Sequence, residues 1–346
     1  MSRLIKPRGN EAMSAPVLAA IGVYPCAMAW SSHGDVLAIG GDRGEVKLID
    51  AITTETRLAF QAHDGPVQSL AWHPRRHTLL TTGQDGAARL WHRPYETSTE
   101  LIAPGDTWVD HACWSASGDH AAVARGARAH VVVPSKTSIV TRPVGSTIAG
   151  LAFTPSGKSL GVASYGGVQL FDPATGIPTR TLAWKGSMLS IAFAPKGGVV
   201  ACGCQDHSVH FWRIASGKDA EMSGFPAKPR RVSFSHDGRW LATGGDTSLS
   251  LWPFDGKGPE GRAPIQLDPH PDVITELAFA PRIDMLLSGS RDGTVALWMP
   301  PTLSTPVKTA RLSGKVTHVG WATDVAAGVL RWAAADEHGR VMIGQL

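Results

Sequence analysis

The sequence predicts an all-β protein in which eight small antiparallel sheets of four strands stand side by side around an axis and close into a ring. Three observations carry this reading. One pattern of about forty residues recurs eight times along the chain. The 38 glycines and 24 prolines among 346 residues are scattered as turn residues, too many for a helix-rich protein. Apolar residues alternate only weakly with polar ones inside the candidate strands, which suits sheets covered on both faces by their neighbours.

The repeat has a fixed internal order. A first strand ends in a small residue followed by an aromatic, as in CAMAW at Cys26, QSLAW at Gln68, DHACW at Asp110, AGLAF at Ala149, LSIAF at Leu189, RRVSF at Arg230, TELAF at Thr275 and THVGW at Thr317. A turn, often carrying glycine where a hairpin needs positive φ, leads to a second strand. A third strand then closes at Ile49, Trp91, Val133, Phe171, Trp212, Trp252, Trp298 or Gly344, positions 38 to 46 residues apart. Room remains between units for a fourth strand, with candidates at 57–60, 99–103, 138–144, 179–183, 265–267 and 307–312.

Composition excludes several classes. The chain is 43% hydrophobic and 18% charged, enough to bury a large core and too apolar for disorder. Its net charge of +4 is dispersed, with no basic block interleaved with aromatics, so no nucleic-acid partner is expected. Cys26, Cys113, Cys202 and Cys204 lack the spacing of a disulfide framework and read as reduced thiols in the cytoplasm. The uncharged run Ala12–Ser32 superficially resembles a secretory signal, but Pro16 and Pro25 interrupt it, and the apolar stretch Val17–Val23 is too short to cross a membrane. Residues 1–15 read as a flexible tail, with Met1 and Met13 both open as starts, and residues 16–346 as one domain.

Strands ending in Leu-Trp, preceded by Asp-Gly, with a histidine nine residues before the first strand's aromatic, resemble WD40 repeats. The resemblance covers the chain from about Pro16 to the end and implies an eight-bladed β-propeller, with seven blades as the alternative count. It also implies hydrogen-bonded tetrads of His63, Thr81, Asp85 and Trp91, and of His270, Ser288, Asp292 and Trp298. These sets mimic a catalytic Ser-His-Asp group. They read as structural, because hydroxyl, imidazole, carboxylate and indole satisfy one another inside a blade. The third unit (ARGARAH at Ala124) and the fourth (Tyr165 in place of Asp) depart from the pattern, and those blades are expected to be the least stable. Closing the ring requires PVLAAIG at Pro16 to pair with the last strand near Val341, since an unpaired edge would expose backbone groups.

In this family the face around the central channel is the commonest binding surface. The resemblance places on it the residues four and six before each first-strand aromatic and the residue before each turn Asp. Blades 1 to 3 then offer Tyr24, Asp42, Trp108 and Asp110, and blades 6 to 8 offer Lys228, Arg230, Arg291 and Lys315. The face is predicted to be electrically divided, with Trp108, Arg230 and Arg291 as anchors, because Trp and Arg carry much interface energy. The long connection from Pro253 to Asp272, with Gly256, Gly258 and Gly261, is a second exposed candidate for binding, although flexible linker is the preferred reading.

No phosphate-cradling glycine loop, nucleophile elbow or paired carboxylates in a catalytic context appear, so no enzyme and no cofactor are expected. The expected function is a monomeric scaffold that binds a protein or peptide on the channel face. The alternative is a zinc- or copper-handling protein using Cys26, or Cys202 and Cys204 with His207. Against it, Cys202 aligns with Ser288 and reads as a buried small residue, and Cys113 occupies a slot held elsewhere by alanine.

Overall fold

The computed structural model describes residues 16–133, 138–267, 270–322 and 329–346. The predicted tail, residues 1–15, and with it the choice between Met1 and Met13, lies outside the described residues. Among the described residues all thirty-one elements are strands, gathered into eight antiparallel sheets, and the ring is an eight-bladed propeller. In blade 1 the strands Pro25–Trp30, Val36–Gly41, Glu45–Asp50 and Thr56–Gln61 follow one another outward. The same order holds in blade 2 (Val67–Trp72, Thr78–Gly83, Ala88–His92, Ser98–Ile102) and in blades 5, 6 and 7, which begin at Ala192, Val232 and Ile274. First strands of neighbouring blades touch one another and form the inner wall.

Two blades are irregular where their motifs decay. In blade 3 the outer strand shrinks from the predicted 138–144 to Ile139–Val140. Blade 4 has three elements, because Leu160–Phe171 does the work of two strands. Its first half pairs with Gly150–Phe153 and its second with Pro178–Ser187, and the chain passes through two left-handed glycines, Gly166 (φ 95°) and Gly167 (φ 117°), between them.

The ring closes in blade 8. There Val17–Ala20 adds to Arg340–Gln345, with Val17 opposite Ile343 and Ala19 opposite Val341, outside Arg331–Asp336 and Val316–Trp321. The first and last segments of the described chain thus share one sheet, as closure without a free edge demands.

The core is divided rather than central. Eight apolar clusters fill the eight spaces between adjacent blades: one joins Ala38, Val46 and Trp72 across blades 1 and 2, another Leu37, Ile49 and Val341 across blades 8 and 1. Every sheet is therefore packed on both faces, the physical reason its strands alternate so weakly.

The small-aromatic pair has a specific job in this packing. The indole N–H of Trp30 donates to the carbonyl of Gly320 (3.2 Å), Trp72 to Ala29 (3.1 Å), Trp114 to Ala71 (3.1 Å) and Trp321 to Ala278 (2.9 Å). Each acceptor is the small residue just before the neighbouring blade's own aromatic. These bonds link blades 7, 8, 1, 2 and 3 in series, whereas the phenylalanines that close the other first strands have no donor.

Blade 8 lacks the third-strand tryptophan, and Gly344 stands in its place. Trp332, opposite Gly344 on the second strand, fills that space: a Cβ on Gly344 would lie 2.3 Å from its ring. The connection after Pro253 also differs from the flexible linker expected of it. Phe254 packs between Phe211 and Phe234, and Arg213 holds Glu260 through both carboxylate oxygens (2.5 and 2.9 Å). Packing and ion pairing outweigh the freedom of its glycines.

Candidate functional site

The first strands begin at one mouth of the central channel, where they line an open cavity of about 1060 Å³. Six of the eight residues predicted from spacing are on its wall: Tyr24, Asp42, Lys228, Arg230, Arg291 and Lys315. Trp108 and Asp110 are not. Trp108 is 51% exposed outside the cavity, and burial raises the pKa of the Asp110 carboxyl.

The cavity also contains residues the spacing rule missed. Arg231, Glu276 and His318 each stand three positions before a closing aromatic, one place beyond the residues selected. Arg231 precedes the short first strand of blade 6, Val232–Phe234, and for Glu276 and His318 the reason is a register shift near the start of the first strand, seen between Val67 and Ser69 in blade 2 and at the matching places in blades 1, 3, 7 and 8. An extra residue there resets the alternation of side chains. The sequence carries a signal for it, since the position is polar in most units: Ser69, His111, Ser190, Arg231, Glu276 and His318.

Arg231 and Glu276 form a forked ion pair between blades 6 and 7, with Nε donating to both carboxylate oxygens (2.9 and 2.8 Å) and Nη2 to one (2.7 Å). The Glu276 field raises the Arg231 pKa. Burial lowers the pKa of His111 from blade 3 and takes His318 from blade 8 down to about 4, with the Arg231 charge adding to both effects.

The motifs that mimic catalytic groups are built into blades. In blade 2, His63 meets Asp85 through Nδ1 (2.9 Å) and Thr81 through Nε2 (2.7 Å), and the Trp91 indole donates to the Thr81 hydroxyl (3.1 Å). Burial works to raise the Asp85 pKa, but hydrogen bonds from Arg89 and His63 hold it at about 2. In blade 7, His270 (2.7 Å) and the Trp298 indole (2.8 Å) meet on the Ser288 hydroxyl, while Asp292 accepts from the Thr294 backbone N–H (3.0 Å) and hydroxyl (2.8 Å). Blade 5 recasts the pattern: Trp184, at the histidine position, stacks on His210 with ring centres 3.9 Å apart.

Nothing in the geometry favours the metal alternative. Cys202 and Cys204 are buried, with Cys204 Sγ 3.8 Å from the Met188 sulfur, and burial pushes both thiols up, Cys204 to about 11. Cys26 is also raised to about 11 by burial and by Asp42 and Glu45, so the thiolate that metal binding needs is disfavoured at all three. His207 is exposed on the cavity wall, whereas the two thiols are buried. Among the described residues, the groups with metal-ligating atoms in proximity are His33, Asp35 and His77, and His236, Asp237 and Asp284, none with a cysteine.

Eight blades, inter-blade indole bonds and a cavity at the channel mouth define a closed β-propeller with one open, polar face. Four WD40 repeats are found in this propeller: the family described as WD domain, G-beta repeat matches residues 54–92, 176–213, 223–253 and 263–299. It is 24% identical to human Striatin-4 over 71% of the chain and 37% of that protein. It is 24% identical to the WD repeat-containing protein slp1 of Schizosaccharomyces pombe (72% of the chain, 54% of that protein) and to Pre-mRNA-processing factor 19 homolog 2 of Arabidopsis thaliana (66% and 37%). The chain thus spans between about a third and about half the length of these relatives. In fold it matches the computationally designed Ika8 protein with a TM-score of 0.79 and 18% identity, over 96% of the chain and 100% of the design.

Proposed function

We propose that the protein is a non-catalytic interaction scaffold that binds a protein or peptide on the propeller face around the channel, in the reducing environment its free thiols suit. The observation that carries the reading is the open cavity at the channel mouth, walled by residues from several blades. Four repeats of a kind that is in general non-catalytic support it, as does the engagement of both Ser/Thr-His pairs with a tryptophan inside a blade. Among the described residues no helix is long and apolar enough to cross a membrane.

The test is affinity capture from a cell lysate with the wild type and the Trp108→Ala/Arg230→Glu/Arg291→Glu variant. A specific partner is expected to be lost by the variant while its circular dichroism and melting midpoint stay near wild type. Retention of every captured partner would move the interaction off this face.

A further inference from the structure

We infer that the channel mouth takes an acidic peptide segment, a refinement that rests on the reading above and assigns the chemistry of the partner. The charge around the cavity is not evenly divided. Five cations line it, Lys228, Arg230, Arg231, Arg291 and Lys315, against two carboxylates, Asp42 and Glu276. Glu276 is already engaged by Arg231. Asp110, the other acid expected to balance the face, is outside the cavity.

What remains is Lys228, Arg230, Arg291 and Lys315 facing Asp42, and among the described residues none of those four side chains is in a salt bridge. They come from three successive blades: Lys228 and Arg230 lead into the first strand of blade 6, Arg291 is in the turn of blade 7, and Lys315 precedes blade 8. The cations therefore form an arc along the rim rather than converging on one point.

That arrangement selects an extended ligand. Arginines present forked donors matched to carboxylates, and lysines add point charges. A single phosphate would meet only part of the arc, whereas a run of Glu or Asp places one carboxylate after another along it. At about 1060 Å³ the open cavity is just above the usual range for small-molecule sites, with room for a peptide's side chains. Tyr24, Pro66 and Val273 on the same wall supply apolar contact.

The experiment uses fluorescein-labelled peptides of about twelve residues, long enough to span the arc, in which Glu, Gln or Lys alternates with Ser, read by fluorescence anisotropy at low and high salt. The Glu peptide is expected to bind, at least about tenfold more tightly than the Gln peptide, and to weaken as salt screens the contacts. Two separate pairs, Arg230→Gln/Arg291→Gln and Lys228→Gln/Lys315→Gln, should each weaken it by about tenfold or more, so misfolding of one leaves the other as the test. Lys158→Gln/Lys196→Gln removes the same charge from exposed turns at the opposite ends of the first strands and should leave binding unchanged.

Equal binding of the Gln peptide, or equal loss in the distal variant, would overturn the inference. So would binding of inorganic tripolyphosphate without binding of the Glu peptide, which would assign the mouth to a small polyanion. If no acidic peptide binds, yet the triple variant still loses a captured partner, the interaction face stands and only its acidic specificity falls.

Discussion

His270 is buried beside Ser288 and Trp298, and burial takes its pKa down to about 4, as it does for His318 in the channel. An unfolded histidine titrates near 6.5, so between about pH 6.5 and 4 the unfolded chain holds more protons than the folded one. Stability therefore falls as pH falls through that window, by about 2 kcal/mol at pH 5 for a histidine so shifted. Urea denaturation at pH 7.5 and pH 5 should show this loss, and His270→Gln should reduce the difference between the two pH values while lowering stability at both. An undiminished difference in the variant would remove His270 as a source. The sequence marked His270 through its spacing to Phe279. It gave no means of distinguishing Asp292, bonded to Thr294, from Asp85, bonded to its histidine, because that depends on side-chain orientation in each turn.

Among the elements, the first strand does most to hold the ring together, and its closing residue sets how. Where that residue is tryptophan, one indole bond reaches the carbonyl of the neighbouring blade's small residue. Trp72→Phe keeps most of the apolar contact and removes the donor to Ala29. The expected cost is about 1 kcal/mol from the lost hydrogen bond and the acceptor left behind, read as a lower urea midpoint with the denaturant slope unchanged. A cost indistinguishable from zero would mean the carbonyl finds water instead. The recurrence of Ala or Gly before the aromatic was visible from residue order, but its reason was not, since the partner is some 43 positions away or, for Trp30, at the far end of the chain. The irregular start of the same strand hid Glu276 and His318, since strict alternation passes over the polar residue at a bulge, and Arg231 was hidden because it precedes its strand, Val232–Phe234.

For the molecule as a whole, closure through a shared last sheet makes one short strand matter to every blade. Removing residues 1–20 leaves the Arg340–Gln345 strand without its outer partner, taking Val17 from opposite Ile343 and Ala19 from opposite Val341. The truncated protein is expected to self-associate or lose cooperative melting, which light scattering and thermal denaturation would report. A monomer that melts like the full chain would show that the ring does not depend on this strand.

The repeat, the eight-fold count and the pairing of Val17–Ala20 near Val341 were determined by the sequence alone. They follow from local strand and turn preferences repeated at a nearly constant spacing, and from the need to satisfy the last edge. The tertiary structure decided which side chains share the channel mouth. It moved Trp108 and Asp110 outside the cavity, brought Arg231 against Glu276, and let Trp332 replace the tryptophan missing at Gly344. Those outcomes depend on bulges, side-chain directions and contacts between blades, and residues that meet across a ring leave no mark in the spacing along the chain.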